Sequence, residues 1–432
     1  MKIKKNFFFK KKILVYGLGL SGIACFNFLK KNNYINVYDD NFSNKHKKYK
    51  NYYLNLKKIP KKNFDYIFIS PGININKCKL TNFLQNNKNK IVSDLDIFYK
   101  SFPACKKIAI TGTNGKSTTC KLLHEVLKKH NRDSRLVGNI GNPILGEKKI
   151  KKNTIFVIEV SSYQIDYSNY FQSDFALILN ISPDHLERHG NYKNYIKAKF
   201  KLIEKQEKNS ISLIDKNNMQ LKGILKKKKI NSKLKLVDFK KYKNFNKLIK
   251  NQYFNNLPNL KNLSFILEIS KELKLQKNKI LQVVNIFQGL NYRQQVIFDN
   301  EKLKIINDSK STSLSATLPL LESYKNIYWI LGGLAKKGDK LNLKRRYFKN
   351  IKAYIYGKNK KFFQKLLKNK CEIKYSTDLK QIIKKLQVDL KDGNNKKKTI
   401  LFSPAAASFD QFNNFEERGK YFNNFFKNLI NV

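Results

Sequence analysis

The segment KKIAITGTNGKSTTCKLLHEVLKK, residues 106 to 129, passes from an apolar strand through a glycine turn into a stretch with helical apolar spacing. A strand so continuously apolar has no face to offer to water, so it belongs in a parallel sheet covered by helices. The same succession opens the chain at KKILVYGLGLSGIACFNFLKK, where a strand from Ile13 to Tyr16 meets a turn at Gly17 to Gly22 and then a helical pattern. INVYDD and DYIFISPG, residues 35 to 40 and 65 to 72, supply two further strands ending in polar or small residues. These predict a small doubly wound, Rossmann-like nucleotide-binding unit over residues 1 to 102.

Two more regions follow the same logic. Residues 103 to 296 hold the apolar strands TIFVIEVSS (154 to 162) and FALILNIS (175 to 182), a long lysine-rich stretch, and a helical pattern, LPNLKNLSFILEISKEL (257 to 273). Residues 297 to 432 alternate helical patterns with the strands LKIINDS, IYWILGG, AYIYG and TILFSPA. The length of 432 residues suits about three domains. The expectation is therefore α/β in three domains: a Rossmann-like first, a central one with a mainly parallel sheet of the P-loop ATPase type, and a Rossmann-like third.

The formal charge of +57 suggests nucleic acid at first. Only seven of the 88 basic residues are Arg, however, and the lysines are spread along the whole length among Asn, Ile, Phe and Tyr. Bidentate phosphate and guanine recognition favours Arg, so the charge reads as a global compositional bias filling solvated positions. No nucleic-acid partner is expected. Five isolated cysteines without C-x-x-C spacing point to a reducing compartment with neither a disulfide framework nor a zinc site. The first twenty residues imitate a signal peptide, but Lys10, Lys11 and Lys12 break the apolar run and no cleavage site follows. No apolar run approaches the length of a membrane helix, so a cytoplasmic chain without membrane partners is expected.

The turns carry the chemistry. Backbone N–H groups and a helix N-terminus cradle phosphate oxygens, a lysine reaches the terminal phosphates and a hydroxyl holds Mg2+. Gly112, Thr113, Asn114, Gly115, Lys116, Ser117 and Thr118 offer such a set, although Ile110 stands where the strict pattern has its leading glycine. ATP is the expected occupant. GLGLSG is a weaker signal by itself, but Asp39 and Asp40 end a second strand about 20 residues on, where a ribose or uracil edge could be gripped. Glu159 in EVSSYQ and His185 in NISPDHLERHG follow strands of the P-loop region, where a carboxylate or imidazole could complete a metal shell. An isolated Glu or His is more often a surface or structural group, but because both follow strands of the region that carries the P-loop, metal roles are the expectation for Glu159 and His185.

Taken in order, GLGLSG, SPG (70 to 72), TGTNGKST, GNIG (138 to 141), EVSSYQ, NISPDHLERHG, NDSKSTS (307 to 313), LGGLAKKGD (331 to 339) and SPAAASFDQFNNFEERG (403 to 419) resemble the Mur ligase family. These are the ATP-dependent amino-acid-adding enzymes of peptidoglycan synthesis, and the resemblance spans nearly the whole chain. It implies that Leu20, Ser21, Asp39, Asp40, Gly72 and Asn139 bind a UDP-sugar and that Lys116 and its loop hold ATP. Ser117 and Glu159 would bind one Mg2+ and His185 a second. Lys199 matches a lysine that the family converts to a carbamate, so Lys116, His185 and Lys199 become the catalytic candidates. Asn262, Arg293 and Asp308 would surround the nucleotide.

Within the family, SPAAASFDQFNNF favours the D-glutamate-adding branch, and the DNPR motif of the diaminopimelate- or lysine-adding branches is absent. The resemblance places D-glutamate among Lys310, Thr312, Lys336, Ser408 and Phe415, where two lysines suit a diacid. The other substrate implied is UDP-N-acetylmuramoyl-L-alanine, and the enzyme is expected to act as a monomer. GLNYRQQ (289 to 295) departs from the family's G-L-x-H-R-x-E, with Tyr292 for the His and Gln295 for the Glu, which removes a carboxylate acceptor near the nucleotide. Two rival readings remain open. A folate polyglutamate synthetase would not need the uridine unit of the first domain, and a basic NTPase would respond to nucleic acid.

Overall fold

The structure, a computed structural model, describes residues 7–336, 338–390 and 397–430, with side chains as far as residue 426. The chain forms three sheets. In the first, β1 (Lys12–Tyr16), β2 (Tyr34–Tyr38), β3 (Tyr66–Ile69) and β4 (Ile91–Val92) are all parallel in the order β2-β1-β3-β4. The second contains β5 (Lys106–Thr111), β6 (Ser134–Gly138), β7 (Ile155–Glu159), β8 (Phe175–Ile178), β9 (Ile211–Asp215) and β10 (Lys233–Val237). Its order is β10-β9-β8-β5-β7-β6, again wholly parallel. The third contains β11 (Gln295–Asp299), β12 (Leu303–Asn307), β13 (Ile327–Gly332), β14 (Ile351–Tyr356), β15 (Glu372–Tyr375) and β16 (Lys398–Phe402). Its order is β11-β12-β16-β13-β14-β15, with only β11 antiparallel. This is the three-domain, mainly parallel α/β fold that the strand patterns predict.

The reason lies in burial on both strand faces. Every residue of β7, β8 and β13 is buried. Amphipathic helices provide the cover: Lys116–Lys129 buries Cys120, Leu122, Leu123, Val126 and Leu127 and leaves Lys128 and Lys129 exposed. The lysine-rich stretch after residue 205, which gives no strand signal by composition, contains β9 and β10. There β10, KLKLV, lies at the sheet edge and alternates lysine with apolar residues, as an edge protected by charge does.

The residues cluster into two compact units: Met1–Asn244 with Asn262–Val283, and Phe245–Lys261 with Val284–Val432. The first and second sheets share the first unit. Within it, the helix Asp94–Ser101 is tied to the segment after the helix Ser162–Tyr167 by the buried carboxylate of Asp96. That carboxylate accepts from Ser168 Oγ at 2.6 Å and from the backbone N–H groups of Asn169, Tyr170 and Phe171 at 3.0, 2.7 and 2.9 Å. Phe98 and Phe156 pack edge to face 4.6 Å apart beside it. Among the described residues no helix is long and apolar enough to cross a membrane.

Candidate active site

In each sheet most candidate residues follow the carboxyl ends of parallel strands, where ligands collect in open α/β sheets, whereas Lys199 and Asn262 lie on helices and Arg293 just precedes β11. The loops after β1, β2 and β3 surround a cavity of about 530 Å3. Its lining includes Leu20, Ser21, Asp39, Asp40, Gly72 and Asn139, so all six residues of the expected UDP-sugar set meet there. Strand β2 ends at Tyr38, which releases both aspartates into the turn. Asp39 is fixed by the N–H groups of Leu18 and Asn41 at 2.6 and 2.8 Å, and Asp40 by the hydroxyls of Tyr16 and Tyr38 at 2.7 and 3.2 Å. The turn itself depends on Gly22, where a Cβ would stand 1.7 Å from the Gly17 carbonyl oxygen.

The loop after β5 is clamped from β8. Asn180 takes the Thr113 N–H on its backbone carbonyl at 3.0 Å and the Asn114 N–H on its side chain at 2.8 Å, and it returns a bond to the Asn114 carbonyl at 2.9 Å. Gly115 has φ +82°, and a Cβ there would come within 2.5 Å of the Asn262 amide nitrogen, so the expected nucleotide residue Asn262 abuts the loop. Lys116 Nζ reaches back to the carbonyls of Gly112 and Thr113, both at 2.9 Å. Ser117 and Thr118 are buried in the first turn of the following helix.

Glu159, the last residue of β7, is 1% exposed. Its Oε1 accepts from Asn139 Nδ2 at 2.9 Å, whereas its buried Oε2 has no hydrogen-bond partner. A buried carboxylate oxygen left without a donor is costly unless a cation completes it, so the residues present fit a metal ion at this position. Among the described residues no group of three or more His, Cys, Asp or Glu forms a metal cluster. Mg2+ typically takes only one or two protein carboxylates and fills the remainder with phosphates and water.

Lys199, on the helix Tyr192–Glu204, is 2% exposed and donates to Thr111 Oγ1 at 3.2 Å and to the Gly112 carbonyl at 2.9 Å. Burial first, and the neighbouring Lys116 second, hold its amine well below the usual lysine range, against opposing pulls from Asp184 and Glu159. His185 has φ +54°, a left-handed conformation for a non-glycine residue. Its imidazole lies between the carboxylates of Asp184 and Glu187, at 3.4 and 3.6 Å, and against the Tyr163 ring at 5.0 Å.

In the third sheet, Lys310 and Thr312 follow β12, Lys336 follows β13, and Ser408 and Phe415 follow β16, three strands adjacent in the order β12-β16-β13. Lys310 Nζ stands 3.9 Å above the centre of the Phe415 ring, and the Arg293 guanidinium lies 5.9 Å from the same ring. Asp308 accepts from Ser403 Oγ at 2.9 Å and from the Gln294 N–H at 3.1 Å. Its burial outweighs these bonds and the charges of Arg293 and Arg418, pushing its carboxyl up to about 7.

The family model for the Mur ligase middle domain matches residues 110–278. The UDP-N-acetylmuramoylalanine--D-glutamate ligase of Rickettsia bellii is 34% identical over 437 residues, covering 96% of both chains. The chain belongs to the Mur ligase family. Two solved members share its fold. The UDP-N-acetylmuramate-alanine ligase of Thermotoga maritima has 15% identity and a TM-score of 0.56, over 97% of this chain and 99% of that one. The MurF ligase of the same organism, solved in complex with ADP, has 13% identity and a TM-score of 0.55, over 92% of each chain.

For a Mur ligase the altered turn at residues 289–295 has a local explanation. Gln295 Oε1 accepts the Tyr292 N–H at 3.0 Å, so one acceptor is present at this position, while the exchange of Glu for Gln removes the charge and turns the second oxygen into an NH2 donor. The Tyr292 ring occupies the space beside Gly419, where a Cβ would lie 2.4 Å from it. Sequence reasoning passed over two supports. Asn180 is separated from the loop it clamps by 66 residues. Arg418 is fully buried and binds Ser309 Oγ, the Ser309 carbonyl and the Ala406 carbonyl at 3.0, 2.7 and 3.0 Å. Arg418 lies within the segment SPAAASFDQFNNFEERG, at the start of an apolar-faced helix, and neither feature gives its partners.

Proposed function

We propose that this Mur ligase adds D-glutamate to UDP-N-acetylmuramoyl-L-alanine, using ATP and Mg2+, as a cytoplasmic monomer without nucleic-acid or membrane partners. One observation carries the reading: Asn139 lines the 530 Å3 cavity and also donates to Glu159. The acceptor cavity and the carboxylate suited to a metal are therefore one hydrogen bond apart, so a substrate anchored by its uridine end can extend toward the phosphate loop. In this assignment residues 1–102 hold the UDP-sugar, 103–296 the nucleotide and 297–432 the amino acid.

The alanyl carboxylate attacks the γ-phosphorus of ATP, ADP leaves, and an acyl phosphate results. Lys116 exchanges the two loop carbonyls it now contacts for phosphate oxygens, and the loop N–H groups with Thr113, Asn114 and Thr118 complete the cradle. Ser117 and Glu159 would hold one Mg2+ and His185 a second, and the ion supplies charge neutralisation at the phosphates. Burial disfavours the charged form of Lys199 and so favours the neutral amine, the form that reacts with CO2, which supports the carbamate implied by the family resemblance. Asn262, Arg293 and Asp308 serve the nucleotide. The amine of D-glutamate then attacks the acyl carbon of the acyl phosphate, the C–O bond to the phosphate breaks, and inorganic phosphate leaves as the nitrogen gives up a proton to form the amide. Lys310 and Lys336 face the carboxylates of D-glutamate, and Thr312, Ser408 and Phe415 shape its site.

The test is ADP formation with UDP-N-acetylmuramoyl-L-alanine, comparing D-glutamate with L-glutamate, D-alanine and diaminopimelate. Turnover confined to D-glutamate is expected. Equal turnover with diaminopimelate, or indifference to the UDP-sugar, refutes the assignment.

A further inference from the structure

The turn at Ser70–Ile73 forms one wall of the cavity, and three of its carbonyls converge on a single side chain. Arg188 Nη2 donates to the carbonyls of Pro71, at 3.3 Å, and of Ile73, and its Nη1 approaches the Gly72 carbonyl at 3.5 Å. Arg188 itself is not among the residues lining the cavity, although Pro71, Gly72 and Ile73 all are. Its guanidinium lies 4.8 Å from the Tyr163 ring centre and 5.4 Å from that of Tyr167, and it also donates to the Tyr167 hydroxyl. That hydroxyl donates to the Ile73 carbonyl at 2.9 Å and accepts the Ile75 N–H at 3.3 Å. From the other side, Ser70 Oγ ties the turn to the Gly17 carbonyl at 2.9 Å.

Three carbonyl dipoles aimed at one point repel one another unless a cation stands there, and a planar fork can meet several of them at once where an ammonium cannot. Without the guanidinium, the turn would relax and present negative carbonyl ends toward a cavity meant for an anion. Tyr163, which stacks on Arg188, also contacts the His185 ring at 5.0 Å. The same guanidinium therefore meets the cavity wall directly and the His185 ring through Tyr163.

We propose that Arg188 is a positioning residue that sets affinity for the UDP-sugar by holding the 71–73 turn, with Tyr167 as its support. This rests on the reading of the cavity as the UDP-sugar site. The test uses the full chain with Arg188→Ala, Arg188→Lys, Tyr167→Phe and the Arg188→Ala/Tyr167→Phe double variant. Three quantities are measured: Kd for UDP by calorimetry, KM for each of the three substrates, and Tm.

Arg188→Ala should raise KM for the UDP-sugar and Kd for UDP about tenfold while KM for ATP stays within about twofold. Arg188→Lys should recover only part of the loss. Tyr167→Phe should move the same two constants by a smaller factor, and the double variant should be no worse than Arg188→Ala, because both side chains act on one turn. Unchanged UDP affinity in Arg188→Ala overturns the proposal, as does a parallel rise of all three KM values. Should Arg188→Ala fail to fold, an unchanged UDP affinity in both Arg188→Lys and Tyr167→Phe overturns it equally. Absence of UDP binding by the unaltered protein would instead sink the reading of the cavity.

Discussion

At the scale of single residues, the site is built from groups whose surroundings make them unstable alone. Glu159 retains a buried oxygen that no donor meets. Glu159→Gln keeps the shape and removes the charge, so its activity should fall at least about 100-fold. In thermal-shift measurements, Mg2+ with a non-hydrolysable ATP analogue should raise Tm of the unaltered protein and leave the variant unmoved; equal shifts would exclude a metal role. Asp308 has the opposite character: its carboxyl, pushed up to about 7 by burial, binds a proton in the folded chain that the unfolded chain has already released. Between its ordinary value of 3.8 and about 7, folding takes up a proton, so stability falls as pH rises through that window, by roughly 4 kcal/mol at most. Asp308→Asn removes this dependence. Urea unfolding at pH 5 and pH 8 should show the variant gaining on the unaltered protein at the higher pH, and an unchanged difference would contradict the assignment.

At the scale of elements, strand-turn-helix units place the chemistry, and their glycines are steric requirements. Gly22→Ala would drive a methyl group into the Gly17 carbonyl. A loss of about 1–3 kcal/mol in unfolding free energy is expected, together with loss of UDP binding, and a variant that keeps both would show the turn to be more compliant than its geometry implies. The central strands β1, β5, β7, β8, β13 and β16 were legible because burial on both faces demands an unbroken apolar run. Strands β4, β6, β9, β10, β11 and β15 were not. SRLVG, ISLID, KLKLV and EIKY are short or carry polar residues, and β6, β10 and β15 lie at sheet edges where one side needs no partner. Many of the candidate residues were legible in the same way, because Leu20, Ser21, Lys116, Glu159 and Lys310 lie at or just beyond recognisable strands, whereas Lys199 and Asn262 sit on helices and were named through the family resemblance alone. Their supports were not legible, since Asn180 clamping Asn114 or Arg188 gathering the 71–73 carbonyls joins positions 66 to 117 residues apart.

At the scale of the whole molecule, the first two sheets fall in one compact unit, and within it the Asp96 carboxylate collects N–H and O–H donors from the segment 168–171. Asp96→Ala leaves those donors buried without an acceptor, and a loss of about 3 kcal/mol or more in unfolding free energy is expected from urea titration. A change under 1 kcal/mol would mean that the aromatic packing beside it suffices. The amino-acid order alone determined the parallel α/β architecture, the strand-end turns that hold many of the candidate residues and the family, because apolar runs and glycine turns act over neighbouring residues. Only the tertiary structure decided that the six cavity residues share one hollow, that Glu159 keeps an oxygen without a donor, and that Lys199 is stripped of water. Those properties are set by desolvation and by groups brought together from distant parts of the chain, which local spacing does not encode.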